Sequence, residues 1–373
     1  MDFGFSEEQE AVRDLARQIV EGQLSHEKLQ EHRDSGEPFP AKAWQELAKS
    51  ELVGIGLPED VGGSGLGLIE MCLVLEELGR AAGPVPYLAT VLMGALPVAR
   101  FGTAEQKQRW LPGVVAGDAV LTGAYTEAGA QPLAPATTAR REGDGWRLDG
   151  VKICVPFGEQ ADAILVSAQT GEGSVGLFLV EPGADGVAQE ALVASSGLPE
   201  TRLELSGVTV GGDAVVGDPS ANGEALEWVV ERVQAGLCAI AIGVCDSALR
   251  LTAEYTKTRE QFERPIATFQ AVAQRAADAY IDTEGIRLTA WQAIWRLSEE
   301  LPASEHVAVA KFWAAEGGQR VVHTAQHLHG GIGVDKDYPL HRYFLWAKWL
   351  ELTLGGATPN LLALGKRLAE EPV

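Results

Sequence analysis

Residues 255–270, YTKTREQFERPIATFQ, close a long helical pattern with a compact group of unusual residues. Arg259 brings a permanent charge and a fork of donors suited to a phosphate. Phe262 brings a flat apolar face for stacking. Pro265 ends the helical pattern, and Phe269-Gln270 opens the next one. Spacing alone favours a plainer reading: a snorkelling cation, a core plug and a turn at a helix end.

Working outward, residues 226–257 read as one long helix, and 270–297, 303–326 and 339–353 as three more. Such lengths predict near-antiparallel packing into a four-helix bundle. Residues 113–217 have a different texture, with short apolar runs punctuated by Gly and Pro. The runs 146–148 and 151–155 flank Asp149-Gly150, a hairpin signal, and 163–168, 176–180 and 201–205 read as further strands. An antiparallel barrel or sandwich is expected there. Upstream, Ser6 and Gln9 form a capping box before the helical spacing of Val12, Leu15, Ala16, Ile19 and Val20. Helices are expected at 41–49, 68–80, 87–101 and 104–110, the last stopped by Pro112, with a glycine-rich loop at 57–67. The expected α+β division is a helical domain over 1–112, a β domain over 113–222 and a helical bundle over 223–373.

The net charge is −22, from 30 basic and 52 acidic side chains, which argues against nucleic acid as a general partner. An anionic ligand must then be met by basic residues gathered locally. Cys72, Cys154, Cys238 and Cys245 are far apart and read as buried, reduced thiols rather than disulfides or a metal site. The start, MDFGFSEEQEAV, lacks the basic and apolar segments of a secretory signal. The longest apolar run, 237–245, is too short to span a bilayer. A cytoplasmic protein without a membrane is the expectation.

The pattern R-x-x-F-x-x-P-I-x-x-F-Q from Arg259 to Gln270 resembles the signature of the acyl-CoA dehydrogenase flavoprotein family. Further matches follow in order: LPEDVGGSGLG (57–67), EELGR (76–80), FGTAEQKQRWLP (101–112), YTEAGA (125–130) and LHGGIG (328–333), then Tyr338-Pro339. The similarity spans nearly the whole chain. It implies the same order of helical domain, central β domain and helical bundle. It also implies α,β-dehydrogenation of an acyl-CoA thioester, with FAD taking the β-hydride and a carboxylate taking the α-proton. Electron-transfer flavoprotein is the implied acceptor.

Carried over residue by residue, the resemblance divides the chain. Family members usually read T-E-P-G-x-G-S-D and then K-x-W-I-T-N-G where the strands hold their own flavin. Here Thr126, Glu127, Lys152 and Gly158 match, but Gln131-Pro132-Leu133 replaces the glycine, serine and aspartate. Cys154 replaces the aromatic and Pro156 the hydroxyl. The two family positions for the catalytic glutamate fall on Leu354 and Val233, neither of which takes a proton; Glu351, one turn before Leu354, is the nearest substitute. By contrast, the residues that reach a neighbouring subunit's flavin are kept: Arg259, Phe262, Gln270, Gly330 and Gly331, with His327 in place of a glutamine.

The pattern resembles bacterial steroid side-chain members built from two unlike subunits. It implies a half-site subunit whose homologous catalytic partner, in an α2β2 assembly, supplies the glutamate. Two alternatives stand beside it: a self-sufficient homotetramer with a relocated base, and a non-enzymatic CoA-ester-binding or scaffold protein.

Overall fold

Ser6 opens the first helix with the expected reciprocal cap. Its Oγ accepts from the Gln9 amide at 3.2 Å, and the Gln9 side chain accepts from the Ser6 amide at 3.0 Å. This computed structural model describes residues 4–370, so the first residues of the acidic N-terminal stretch and the end of the bundle segment lie outside the described residues. In chain order the helices α1 (Glu7–Gln23), α2 (His26–Ser35), α3 (Ala41–Lys49) and α4 (Leu68–Ala81) come first. A π-helical segment, Leu88–Ala95, leads into α5 (Leu96–Phe101) and then α6 (Ala104–Ala116). Eight strands follow: β1 (Leu121–Ala124), β2 (Thr138–Glu142), β3 (Gly145–Pro156), β4 (Ala163–Gly171), β5 (Ser174–Val180), β6 (Val187–Leu192), β7 (Glu200–Val210) and β8 (Val215–Val216). The chain then returns to helices: α7 (Glu224–Thr258), α8 (Gln270–Ser298), α9 (Ser304–His329), α10 (Leu340–Leu352) and α11 (Ala357–Glu370). Between α7 and α8 lies a small ladder of β9 (Glu260–Gln261) and β10 (Arg264–Pro265).

The chain forms two contact units. One comprises Gly36–Met71 and Pro84–Val233 and holds the sheet, ordered β6-β7-β3-β2-β4-β5-β8 with β1 beside β4. The sheet is mixed, because β1 and β2 both pair with β4 in parallel, and open rather than a closed antiparallel barrel, because its end strands β6 and β8 do not pair with each other. Ala163–Ala168 of β4 is buried throughout, as its unbroken apolar run requires.

Asp149-Gly150 is not a hairpin. β3 runs straight through it, and the pairing with β7 slips there by a bulge. A Cβ on Gly150 would lie 2.4 Å from the Thr137 hydroxyl, so close strand approach is what that glycine serves. The β2–β3 turn falls instead at Gly143-Asp144, with Glu142 opposite Gly145. Pro112 likewise does not stop α6. It sits inside the helix, which continues until Gly117 closes it at φ 76°.

The other unit comprises the described parts of Met1–Ser35, Cys72–Gly83 and Gln234–Val373. α4 and α7 come together there through glycines: an added Cβ would lie 2.3 Å from the Ile240 carbonyl at Gly79 and 2.1 Å from the Glu76 carbonyl at Gly243. The EELGR stretch supplies the ions beside this crossing. Arg80 bonds Glu76 at 2.8 Å, Glu77 at 3.3 Å and also Asp246, while Arg287 bonds Glu76 at 3.2 Å and Asp246 at 3.3 Å. Glu76 and Glu77 are buried, so the arginines compensate charges that could not stand alone. α7 is long and apolar enough to cross a membrane by length and composition, yet 83% of its apolar window is buried in the protein, as in a core helix. Cys72, Cys238 and Cys245 are buried as expected; Cys154 is exposed, contrary to expectation, because it stands on a second bulge of β3.

Candidate functional site

α7 ends at Thr258, and the chain reverses at once. The Arg259 amide donates to Tyr255 O at 2.8 Å and its carbonyl accepts from Ile266 N at 2.8 Å. Gln261 faces Arg264 across the small ladder, leaving Phe262-Glu263 as a two-residue turn. Both turn residues have positive φ, 54° and 63°. That is the requirement of a type I′ turn, which Asn-Gly normally meets, so Phe and Glu hold it at a cost in strain. Phe262 stands 86% exposed. Its ring meets the edge of Phe269, at 6.1 Å between centroids, and the Arg264 guanidinium lies 4.1 Å over the Phe269 ring. Arg259 is exposed and forms no side-chain hydrogen bond or ion pair among the described residues. Gln270, also exposed, begins α8.

A second turn closes α9. Gly330 takes φ 63° and ψ −137°, a conformation practical only for glycine. Gln326 donates to the Gly330 carbonyl at 3.2 Å, and an added Cβ on Gly333 would meet the Gln326 amide at 2.6 Å. Added Cβ atoms on Gly330 and Gly331 would meet nothing within 4 Å, so this backbone faces open space. His327 is exposed; His329, two residues on, is buried. The His329 ring stacks on Tyr255 at 4.4 Å, and this contact joins the arginine turn to the double-glycine turn. The start of α8 and the end of α9 also frame a groove of about 830 Å³, lined by Gln274, Arg275, His323 and His327 among others. Arg259, Phe262 and Gln270 thus lie along the α7–α8 connection, and His327, Gly330 and Gly331 at the end of α9. In a chain of charge −22, Arg259, Arg264 and Arg275 are the local cations that an anionic ligand needs.

Elsewhere in this unit, Leu354 is 3% exposed and has a positive φ of 54°. Its carbonyl accepts from Gln234 at 2.9 Å, and Asn360 bonds the carbonyls of Gly355 at 3.0 Å and Gly356 at 2.8 Å. Lys311, fully buried, caps the end of α10 by donating to Leu350 O at 2.7 Å and Glu351 O at 3.2 Å. Burial pulls its amine down to about 8. The Glu351 carboxylate pairs with Lys348 at 2.5 Å. This turn is firmly held and presents a leucine where a base is expected; Val233, the other expected position, is buried in the sheet-containing unit.

In that unit, Glu127 and Lys152 form a buried pair at 2.6 Å, extended to Ser167 at 3.0 Å. Burial would raise the Glu127 carboxyl, but Lys152 and the Thr137 amide outweigh it and hold the group below its usual range. The matching Thr-Glu and Lys motifs therefore pin the strands. Cys154, at φ 51° in the β3 bulge, and Pro156, without an N–H, supply neither the aromatic nor the donors of a flavin-ring cradle. The Pro156 carbonyl is itself taken by Thr122 Oγ1 at 2.6 Å. This cradle does not fit a flavin ring as the family holds one. The arginine and double-glycine turns do fit a dinucleotide, with an unpaired guanidinium, an exposed aromatic and open glycine backbone. Sequence reasoning gave His329, beside His327, no role beyond a polar helix-end residue and missed Lys311; the contacts of both join segments apart in the chain.

Comparison with known proteins agrees with this architecture. Residues 6–118 match the model of the acyl-CoA dehydrogenase N-terminal domain and residues 225–368 that of the C-terminal domain. The chain is 42% identical to acyl-CoA dehydrogenase FadE27 of Mycobacterium tuberculosis (strain ATCC 25618 / H37Rv), over 100% of both chains. It is similar to a chain of the ChsE4-ChsE5 complex from Mycobacterium tuberculosis, with TM-score 0.94 and 41% identity over 100% of both. It is also similar to a chain of the Tcur3481-Tcur3483 steroid ACAD, with TM-score 0.92 and 44% identity over 98% of both. The chain belongs to the acyl-CoA dehydrogenase family.

Proposed function

We propose that this chain is the half-site subunit of a heteromeric, FAD-dependent acyl-CoA dehydrogenase, completing the flavin site of a homologous catalytic subunit in an α2β2 assembly. The observation that carries the reading is Leu354: the position where the resemblance expects the base holds a buried, backbone-pinned leucine. Support also comes from similarity to a chain of the ChsE4-ChsE5 complex at 41% identity and to a chain of the Tcur3481-Tcur3483 steroid ACAD at 44%. One of them is a steroid ACAD, which favours a steroid side-chain CoA ester as the substrate. Electron-transfer flavoprotein is the acceptor this reading expects.

FAD, when bound, supplies the acceptor for the substrate's β-hydride. Arg259 would bond the pyrophosphate with its fork, needing no rearrangement of an existing ion pair. Phe262 would lie against the nucleotide. Gln270 and His327 would add hydrogen bonds, and Gly330 and Gly331 would let the backbone approach the phosphates. The α-proton goes to a carboxylate of the partner. In the reconstituted heteromer, changing the partner's base to glutamine should abolish turnover of an acyl-CoA, while Glu351→Gln in this chain should leave it intact. The reverse result would move the base to Glu351 and overturn the proposal.

A further inference from the structure

We infer that His329 is a positioning residue for this half-site, locking the double-glycine turn to the arginine turn; the inference rests on the half-site reading above. His329 is the last residue of α9 and only 4% exposed. Its Nδ1 lies 2.8 Å from the Ala325 carbonyl. A carbonyl can only accept, so Nδ1 carries the proton. Nε2 is then a bare acceptor, 3.0 Å from the Tyr338 hydroxyl, which donates to it. Both nitrogens are engaged, and a flipped ring would lose both bonds. Burial favours this neutral form by holding the His329 pKa below its usual value.

The ring face fixes the second segment. Tyr255 stacks on it with 20° between planes, and the Tyr255 hydroxyl donates to the His329 carbonyl at 3.4 Å. Tyr255 is one helical turn before Arg259, and its carbonyl receives the Arg259 amide. His329 directly precedes Gly330. Tyr338 lies just beyond the helical turn Gly330–Val334 and is the third member of the cluster. The end of α7, the end of α9 and Tyr338, nine residues beyond His329, thus meet on one imidazole, and the two helix ends lead straight into the parts that would hold the pyrophosphate.

The consequence is geometric. A pyrophosphate held from two turns needs a fixed spacing between them, and errors of about half an ångström are enough to loosen such a site. Each turn hangs from its own helix end, and the arginine turn contains strained backbone at Phe262 and Glu263. His329 sets the spacing without touching the ligand.

The test uses His329→Ala, which removes stack and bonds, and His329→Phe, which restores the stack alone. Hydrogen exchange on the lone chain should quicken at both 255–262 and 330–334 in the alanine variant. The phenylalanine variant should regain protection at 255–262 while 330–334 stays fast. In the reconstituted heteromer, flavin release should quicken by about tenfold for alanine, as loss of a hydrogen-bonded anchor implies, and recover in part for phenylalanine. A merely structural histidine would lower stability without this split or rescue. If His329→Ala misfolds, Tyr338→Phe removes one bond and should quicken 330–334 alone. Exchange that rises only at 330–334 in the alanine variant, or flavin release unchanged by His329→Ala while Arg259→Ala quickens it, overturns the inference. If Arg259→Ala also leaves flavin release unchanged, the half-site reading itself fails, and the exchange data separate that failure from a failure of the coupling.

Discussion

Replacing Phe262 by Asn should separate stability from function in opposite directions. Phe262 holds φ 54° at a turn position where an L residue costs about 1–2 kcal/mol relative to one that accepts the left-handed region. Asn accepts it readily. The ring is 86% exposed, so its removal forfeits little burial. Its edge-to-face pairing with Phe269, worth about 0.5–1.5 kcal/mol, disappears with it. The lone variant should therefore match or exceed the parent's stability in urea melts. Stacking of a base on an aromatic ring contributes roughly 1–3 kcal/mol, so flavin affinity of the heteromer should fall by roughly 5- to 150-fold. Flavin titration by fluorescence reads this directly. A variant that loses stability while keeping its flavin affinity would show that Phe262 plugs a core and does not face the nucleotide.

Three further outcomes follow from named contacts. Arg259→Ala removes a guanidinium with no internal partner, so lone-chain melting should stay within about 0.5 kcal/mol while heteromer flavin affinity falls by roughly tenfold or more; calorimetry paired with flavin titration checks both. Gly243→Ala would place a Cβ 2.1 Å from the Glu76 carbonyl, a backbone atom that cannot yield cheaply. It should cost about 1–3 kcal/mol in chemical denaturation despite the better helix propensity of alanine. Lys311 gives a pH signature. Burial sets its folded pKa near 8, while the unfolded lysine keeps its proton to about 10.4. Between these values the unfolded chain binds more protons, so this group makes stability rise with pH, by up to about 1.4 kcal/mol per unit. Relative to Lys311→Met, the wild type should gain stability from pH 8 to 10 in urea melts; parallel curves would contradict the buried charge.

The helical parts were legible because their signals are local. The Ser6–Gln9 cap, the 41–49 helix and the four long helices around Arg259 follow from periodicity and end signals. The sheet was less so. Asp149-Gly150 and Gly143-Asp144 look alike as turn signals, and only pairing with β7 makes the first a bulge and the second a turn. Pro112 misled because one lost backbone bond does not end a helix already capped by Gly117. α2 and α11 were not read at all, since neither combines a clear stop with a strong apolar stripe. At the site, Arg259, Phe262 and the glycines stood out by type. The strained Phe262-Glu263 turn, the His329 cluster and the Lys311 cap did not, because each depends on a partner or a backbone angle that spacing along the chain does not encode.

The most direct test of the central claim is the flavin-to-protein ratio, measured by visible absorbance on the chain expressed alone and with a homologous catalytic subunit. The account predicts a colourless lone chain and one flavin per pair of unlike subunits. A yellow lone chain that bleaches with an acyl-CoA, or two flavins per pair, would contradict it.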